Sequence, residues 1–133
     1  EVTESALMAD FDQTRNVLLA LSSLGLSLAL DDFGTGYSSL SYLRQFPLNV
    51  LKIDRSFIKD MDTEPQALDI VTAIVRLGNC LNMVLVAEGL ETELQFHSLR
   101  QLGCEYGQGY YMCKPISEDE FTERFLNQAS IMT

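Results

Sequence analysis

Residues 26–32 read LSLALDD, a short leucine-rich run that ends on two aspartates. A run of this length and composition reads as a strand buried on both faces, as in a parallel sheet. The carboxyl end of such a strand is where α/β folds build their sites. Two further stretches repeat the pattern: NVLKI (49–53) carries Lys52 and stops at Asp54, and MVLVA (83–87) stops at Glu88. One acidic ending is common. Three, on strands separated by helical segments, read as one constellation.

Outward from these strands, helices alternate with them. The spacing predicts a first helix over about 6–24, with Val17, Leu18, Leu21 and Leu24 on its buried face and Gly25 as its stop. A loop with two glycines, DFGTGYSS, follows the strand at 26–31, and a short helix near 39–45 ends before Pro47. Thr63 and Gln66 have capping-box spacing, with Pro65 in the first turn, for a long helix with Leu68, Val71, Ile74, Val75 and Leu77 buried. Thr92 and Gln95 repeat that spacing for a helix carrying Leu94, Leu99 and Leu102, which stops at Gly103. A strand near 106–111 follows, with Tyr110 and Tyr111 one in and one out. Ser117 and Glu120 then open a last helix with Phe121 and Phe125 facing inward. The series implies parallel strands. Two architectures fit it: an open doubly wound sheet complete in itself, or the second half of an eight-stranded barrel.

Composition sets limits. The 133 residues read as one domain at most, and 47% hydrophobic content can fill a sizeable core. A formal charge of −10 argues against binding a nucleic-acid duplex through a basic face. An acidic site can still take a phosphate ester when metal cations stand between carboxylate and phosphate. Cys80, Cys104 and Cys113 are odd in number and lack CxxC spacing, so they read as reduced thiols of a cytoplasmic protein. No stretch is long and apolar enough for a membrane span. The chain opens on EVTES without an initiator methionine and reads as an excerpt of something longer.

Each candidate residue also has a plainer reading. Asp31 and Asp32 could cap a turn, but Gly34 and Gly36 just beyond allow close backbone approach to a ligand. Lys52 lies inside an apolar strand, where a lysine needs a carboxylate or phosphate partner unless it snorkels to solvent. Glu88 and Glu91 could be an acidic first helical turn, a reading that suits Glu91 better than Glu88. Gln108, between two glycines, reads alone as a turn residue, and His97 carries no assigned role.

DDFGTGYSSL, LKIDRSFI, VAEGLET and GQGYYMCKP, in this order and preceded by EVTES, resemble the EAL family of cyclic di-GMP phosphodiesterases over essentially the whole chain. The resemblance implies that residues 1–133 are the C-terminal part of a TIM-like (β/α)8 barrel, with the strand bearing the Glu-Ala-Leu motif and the next strand, with its metal-binding Asn, lying upstream. It implies two Mg²⁺ or Mn²⁺ ions, held by Glu1, Asp31, Asp32 and Glu88. By the same resemblance, Asp31 bridges the ions, Lys52 lies near the attacking water and phosphate, and Glu88 is a general base or second-metal ligand. Glu91 and Gln108 support the metal–water network, and Glu4 anchors the DFGTGYSS loop. Met112 and Cys113 stand where Phe and Ser are more usual, which reads as packing variation. Implied partners are cyclic di-GMP, a second copy of the chain, and an upstream sensor or diguanylate cyclase domain, in a parent that could be tethered to the inner membrane.

The expected activity is hydrolysis of cyclic di-GMP to linear pGpG. The alternative is a catalytically degenerate EAL domain acting as a cyclic di-GMP sensor or protein-interaction module. A phosphoacceptor receiver domain also has a strand-end Asp pair and needs a third Asp at the end of a middle strand, but here the pair comes too late in the chain and Asp54 follows a strand that already carries Lys52. Residues 1–133 alone are expected to be inactive, and soluble only if something covers their outer strands.

Overall fold

The computed structural model describes residues 1–34 and 43–126. Its five strands, β1 (Val2–Thr3), β2 (Ala29–Phe33), β3 (Val50–Ile53), β4 (Val84–Glu88) and β5 (Tyr106–Gln108), form one sheet in unbroken chain order. Every pairing is parallel. A doubly wound sheet reverses its strand order at a switch point. This sheet has no reversal, which is the order of strands round a barrel.

The helices are α1 (Glu4–Ala9), α2 (Phe11–Ser23), α3 (Arg55–Ile58), α4 (Pro65–Cys80), α5 (Glu93–Leu102) and α6 (Glu118–Phe121), the last running into a wider turn at Thr122–Leu126. The single helix expected over 6–24 is two helices, because Asp10 is extended (φ −150°) and its carboxylate accepts the Gln13 N–H as the cap of α2. On α2 only Leu18 is fully buried, with Phe11 and Leu21 beside it, while Val17 and Leu24 fall off that face into solvent. The strand expected at 26 starts at Ala29. Leu24, Gly25 and Leu26 still donate to the last carbonyls of α2, so the chain cannot extend there.

Leu30, Leu51, Ile53, Leu85 and Ala87 are buried to within 0% exposure and form the core with Val71 and Val75 of α4. Gly78 lets α4 approach, since a Cβ there would lie 2.4 Å from Leu85 Cδ2. The alternate residues of β4, Val84, Val86 and Glu88, are more open than Leu85 and Ala87. That second face carries the chemistry.

The capping box expected at Thr63 does not form. Glu64 holds the cap position without a side-chain bond, and Pro65 opens α4. The box at Thr92 and Gln95 forms as expected, and Gly103 (φ +95°) closes α5 in the left-handed conformation. Leu94 is exposed, and its place on the buried face of α5 belongs to Gln95. β5 ends at Gln108 rather than 111, because Leu90 exchanges backbone bonds with Gln108 and Tyr111 and turns the chain. Phe121 and Phe125 face each other at 5.2 Å on an exposed surface instead of pointing inward. Residues 35–42, with Gly36, most of the glycine loop and most of the short helix near 39–45, lie outside the described residues.

All three cysteines are free. Burial pushes the Cys104 thiol up to about 11, against a lowering contribution from the Tyr106 backbone. At pH 8 its thiolate fraction is therefore roughly a few hundredfold below that of an ordinary cysteine of pKa ~8.5. Alkylation followed by peptide mapping is expected to label Cys104 slowly at pH 8 and rapidly only near pH 11. Labelling at the rate of a free thiol at pH 8 would contradict this.

Candidate active site at the carboxyl ends of the strands

Parallel pairing brings the carboxyl ends of β1 to β4 together, and Lys52 stands at their centre. Its Nζ lies 2.7 Å from Glu88 Oε1, 3.1 Å from Glu1 Oε1 and 3.2 Å from Asp31 Oδ1. The Lys52 side chain is 11% exposed. A lysine so enclosed needs such partners. Burial acts to lower its pKa, but the hydrogen bonds to Glu88, Glu1 and Asp31 outweigh it, and the amine is held above the ordinary lysine value.

Adjacent residues on a regular strand point to opposite faces, yet β2 carries two aspartates at its working end. A bulge resolves the conflict: Leu30 pairs with Leu51 and Phe33 with Ile53, so Asp31 and Asp32 together face Lys52 alone. Asp32 takes φ +54°, a left-handed conformation that Asp tolerates better than most residues. Asp31 Oδ1 accepts the Asp32 N–H at 3.0 Å, fixing the carboxylate within the bulge.

Glu4 is 3% exposed, and its Oε2 accepts the Gly34 N–H at 2.9 Å. It thus holds the first residue beyond β2, two positions after Asp32. Gly34 has φ +94°, and a Cβ would press on the Phe57 ring at 2.9 Å, so glycine is needed there on both counts. Gln108 is opposite Glu88 in register on β5. Glu91 turns away from the lysine: its Oε1 meets Arg55 Nη2 at 2.5 Å. Glu91 and Gln108 meet again in the lining of a 160 Å³ depression, with Arg55, Gly89, Gly109 and Tyr110.

The structure therefore gathers Glu1, Asp31, Lys52 and Glu88 into one cluster, sets Asp32 and Gln108 at its margin, and places Glu91 in the adjoining depression. Arg55 and Gln95 belong to this neighbourhood, though sequence reasoning gave Arg55 no role and Gln95 only that of a cap. Arg55 had a signal available, since it lies two residues beyond the end of β3, next to Asp54 at the same end of the sheet as Glu88.

The profile of the EAL domain matches residues 1–115. The chain belongs to the EAL domain family. Cyclic di-GMP phosphodiesterase NbdA of Pseudomonas aeruginosa is 50% identical over 116 residues, 87% of this chain and 15% of that protein. The solved structure titled PaMucR phosphodiesterase, c-di-GMP complex, superposes with a TM-score of 0.86 at 46% identity, covering 90% of this chain and 49% of that one. The Klebsiella pneumoniae BlrP1 manganese/cy-diGMP complex gives a TM-score of 0.74 at 39% identity, covering 82% of this chain and 28% of that one. This EAL chain spans less than a fifth of the length of the first four curated relatives it matches. Its fold is α/β, and its sheet is the C-terminal part of a TIM-like (β/α)8 barrel. In such barrels the carboxyl ends of the strands carry the active site, where Lys52 and its carboxylates stand.

Among the described residues no group of three or more His, Cys, Asp or Glu is arranged to hold a metal ion, and the carboxylates point at the lysine amine instead. The donor chemistry nevertheless fits a hard divalent cation. Glu1, Asp31, Asp32 and Glu88 offer carboxylate oxygens only, the ligands that Mg²⁺ and Mn²⁺ take. No described helix is long and apolar enough to cross a membrane.

Proposed function

We propose that this chain supplies the C-terminal part of a cyclic di-GMP phosphodiesterase domain that opens the cyclic dinucleotide to linear pGpG. The observation that carries the proposal is the meeting of Glu1, Asp31 and Glu88 round Lys52 at the strand ends, in a family whose relatives are named for that activity.

Glu1, Asp31, Asp32 and Glu88 would hold two Mg²⁺ or Mn²⁺ ions, with Asp31 shared between them. Such ions lower the pKa of a bound water, neutralise phosphate charge and clamp a phosphodiester for in-line attack. The protein's own groups do the rest. The Lys52 ammonium offers donors at a fixed point and orients the attacking water against the phosphate. Glu88, within the same cluster, is placed to take a proton from that water. Gln108, across the ladder from Glu88, and Glu91 orient water at the rim. Glu4 holds Gly34 and so sets the path of the chain leaving the aspartate pair. Such ions would also account for how a chain of charge −10 receives an anion.

The test is incubation of the full-length protein with cyclic di-GMP and Mn²⁺, with separation of the products. Accumulation of pGpG supports the proposal. Binding without turnover would instead favour the sensor reading. Residues 1–133 alone are expected to give no turnover, because the chain spans only about half of the solved MucR chain and β1 and β5 are outer strands. A second copy of the domain and an attached sensor or cyclase domain complete the proposal; relative MucR is named as a bifunctional diguanylate cyclase/cyclic di-GMP phosphodiesterase.

Replacing Glu4 by Ala in the full-length protein removes an anchor and no proposed ligand. Activity is expected to fall ~10–100-fold, the usual effect of losing an outer support. Excess Mg²⁺ should recover part of it. An unchanged dependence on Mg²⁺ would reduce Glu4 to an ordinary residue of α1.

A further inference from the structure

The segment from Arg55 to Asp62 is tied to the turn after β4 at three points. Arg55 Nη2 meets Glu91 Oε1 at 2.5 Å. At the other end of α3, the Ile58 carbonyl accepts Gln95 Nε2 at 3.2 Å, while Gln95 Oε1 accepts the Glu91 and Thr92 N–H groups at 2.8 and 3.1 Å. Further on, the Thr92 hydroxyl donates to Asp62 Oδ2 at 2.6 Å. Gln95 is 3% exposed, so the backbone of the turn is fixed from within. Only the Glu91 side chain then remains to be set.

Arg55 sets it from outside. Its stem lies across Gly89, where a Cβ would come within 2.3 Å of Arg55 Cγ and 2.7 Å of its Cβ and Cδ. Gly89 also has φ +71°, so the turn leaving Glu88 is shaped to let this arginine pass. The pair is half exposed, at 58% and 44%, and such pairs add little to stability. Its value lies in position, since the same two residues line the 160 Å³ depression with Gln108 and Tyr110 beside the Lys52 cluster.

We propose that Arg55 is a positioning residue for the reaction proposed above, its guanidinium holding the Glu91 carboxylate at the rim of the site while its stem covers Gly89. The inference rests on that reading of function. The roles of the two parts of Arg55 separate by substitution. Arg55→Gln keeps the stem and removes the charge, whereas Arg55→Ala removes both and Arg55→Lys keeps a charge without the fork.

The experiment measures kcat and KM for cyclic di-GMP, with Mn²⁺, and thermal melting on full-length wild type, Arg55→Ala, Arg55→Gln, Arg55→Lys, Glu91→Ala and the double variant Arg55→Ala/Glu91→Ala. Both Arg55→Ala and Arg55→Gln are expected to lose ~10–100-fold, mainly in kcat, with melting nearly unchanged, and Arg55→Lys to recover part of the loss. The double variant should be no slower than the slower single one, because both changes disable one unit. Rates within twofold of wild type for Arg55→Gln would overturn the proposal. Losses that multiply in the double variant would overturn it too, since Arg55 would then act apart from Glu91. A wild type that does not hydrolyse cyclic di-GMP would overturn the functional reading itself, and this inference with it.

Discussion

Full-length protein carrying Asp31→Asn is expected to lose hydrolysis of cyclic di-GMP by at least ~10²–10³-fold, the scale seen when one pre-set electrostatic group is removed from a catalytic site. Asp31 is the carboxylate whose Oδ1 faces both the Lys52 amine, at 3.2 Å, and the backbone N–H of Asp32, at 3.0 Å. The asparagine carbonyl can still accept both hydrogen bonds, so the bulge and the fold should survive. What disappears is the negative charge that the proposed cations would need. Melting within about 2 °C of wild type, no more than the shift that ~1 kcal/mol brings to a domain of roughly 150–250 residues, would separate lost chemistry from lost structure. Near-normal kcat with Mn²⁺ supplied would remove Asp31 from the proposed centre.

The second large effect is structural. Gly109→Ala places a Cβ 2.1 Å from the Leu90 carbonyl oxygen and 2.3 Å from the Leu90 nitrogen. Those atoms are backbone, and the same stretch exchanges hydrogen bonds with Gln108 and Tyr111, so it cannot step aside cheaply. The expected destabilisation is about 3 kcal/mol. In a domain of roughly 150–250 residues this lowers the melting temperature by about 6–12 °C. Gly78→Ala makes a useful comparison, because its closest atom, Leu85 Cδ2 at 2.4 Å, ends a side chain that can rotate. Its effect should be the smaller of the two. Equal melting of Gly109→Ala and wild type would show that β5 does not need the close turn at Leu90.

The strands were legible because burial writes itself into sequence. NVLKI and MVLVAE sit within a residue of β3 and β4, and two of the three acidic endings, Asp31 and Glu88, converge on Lys52, while Asp54 caps α3 instead. Lys52 was legible for the same reason, since an apolar strand leaves a lysine no solvent of its own. The bulge in β2 was not legible. It depends on how Phe33 pairs with Ile53 across the sheet, a tertiary fact that no local pattern carries. The break at Asp10 was missed because the apolar period runs through it, although an aspartate three residues ahead of Gln13 is an ordinary capping signal. The exposure of Val17, Leu24, Leu94, Phe121 and Phe125 shows the limit of periodicity: it finds a helix, but the neighbours decide which edge of an apolar stripe is covered. The third point of the Lys52 cluster, Glu1, came from the resemblance and not from any property of the residue itself.

The most direct test of the central claim is anomalous diffraction from crystals of the complete protein grown with Mn²⁺ and cyclic di-GMP. Two manganese peaks are expected at the carboxyl ends of the strands, both within bonding distance of Asp31, with Glu1, Asp32 and Glu88 turned from the Lys52 amine towards them. Ordered cyclic di-GMP with no manganese at Asp31, and with the amine still joined to Glu1, Asp31 and Glu88, would contradict the account.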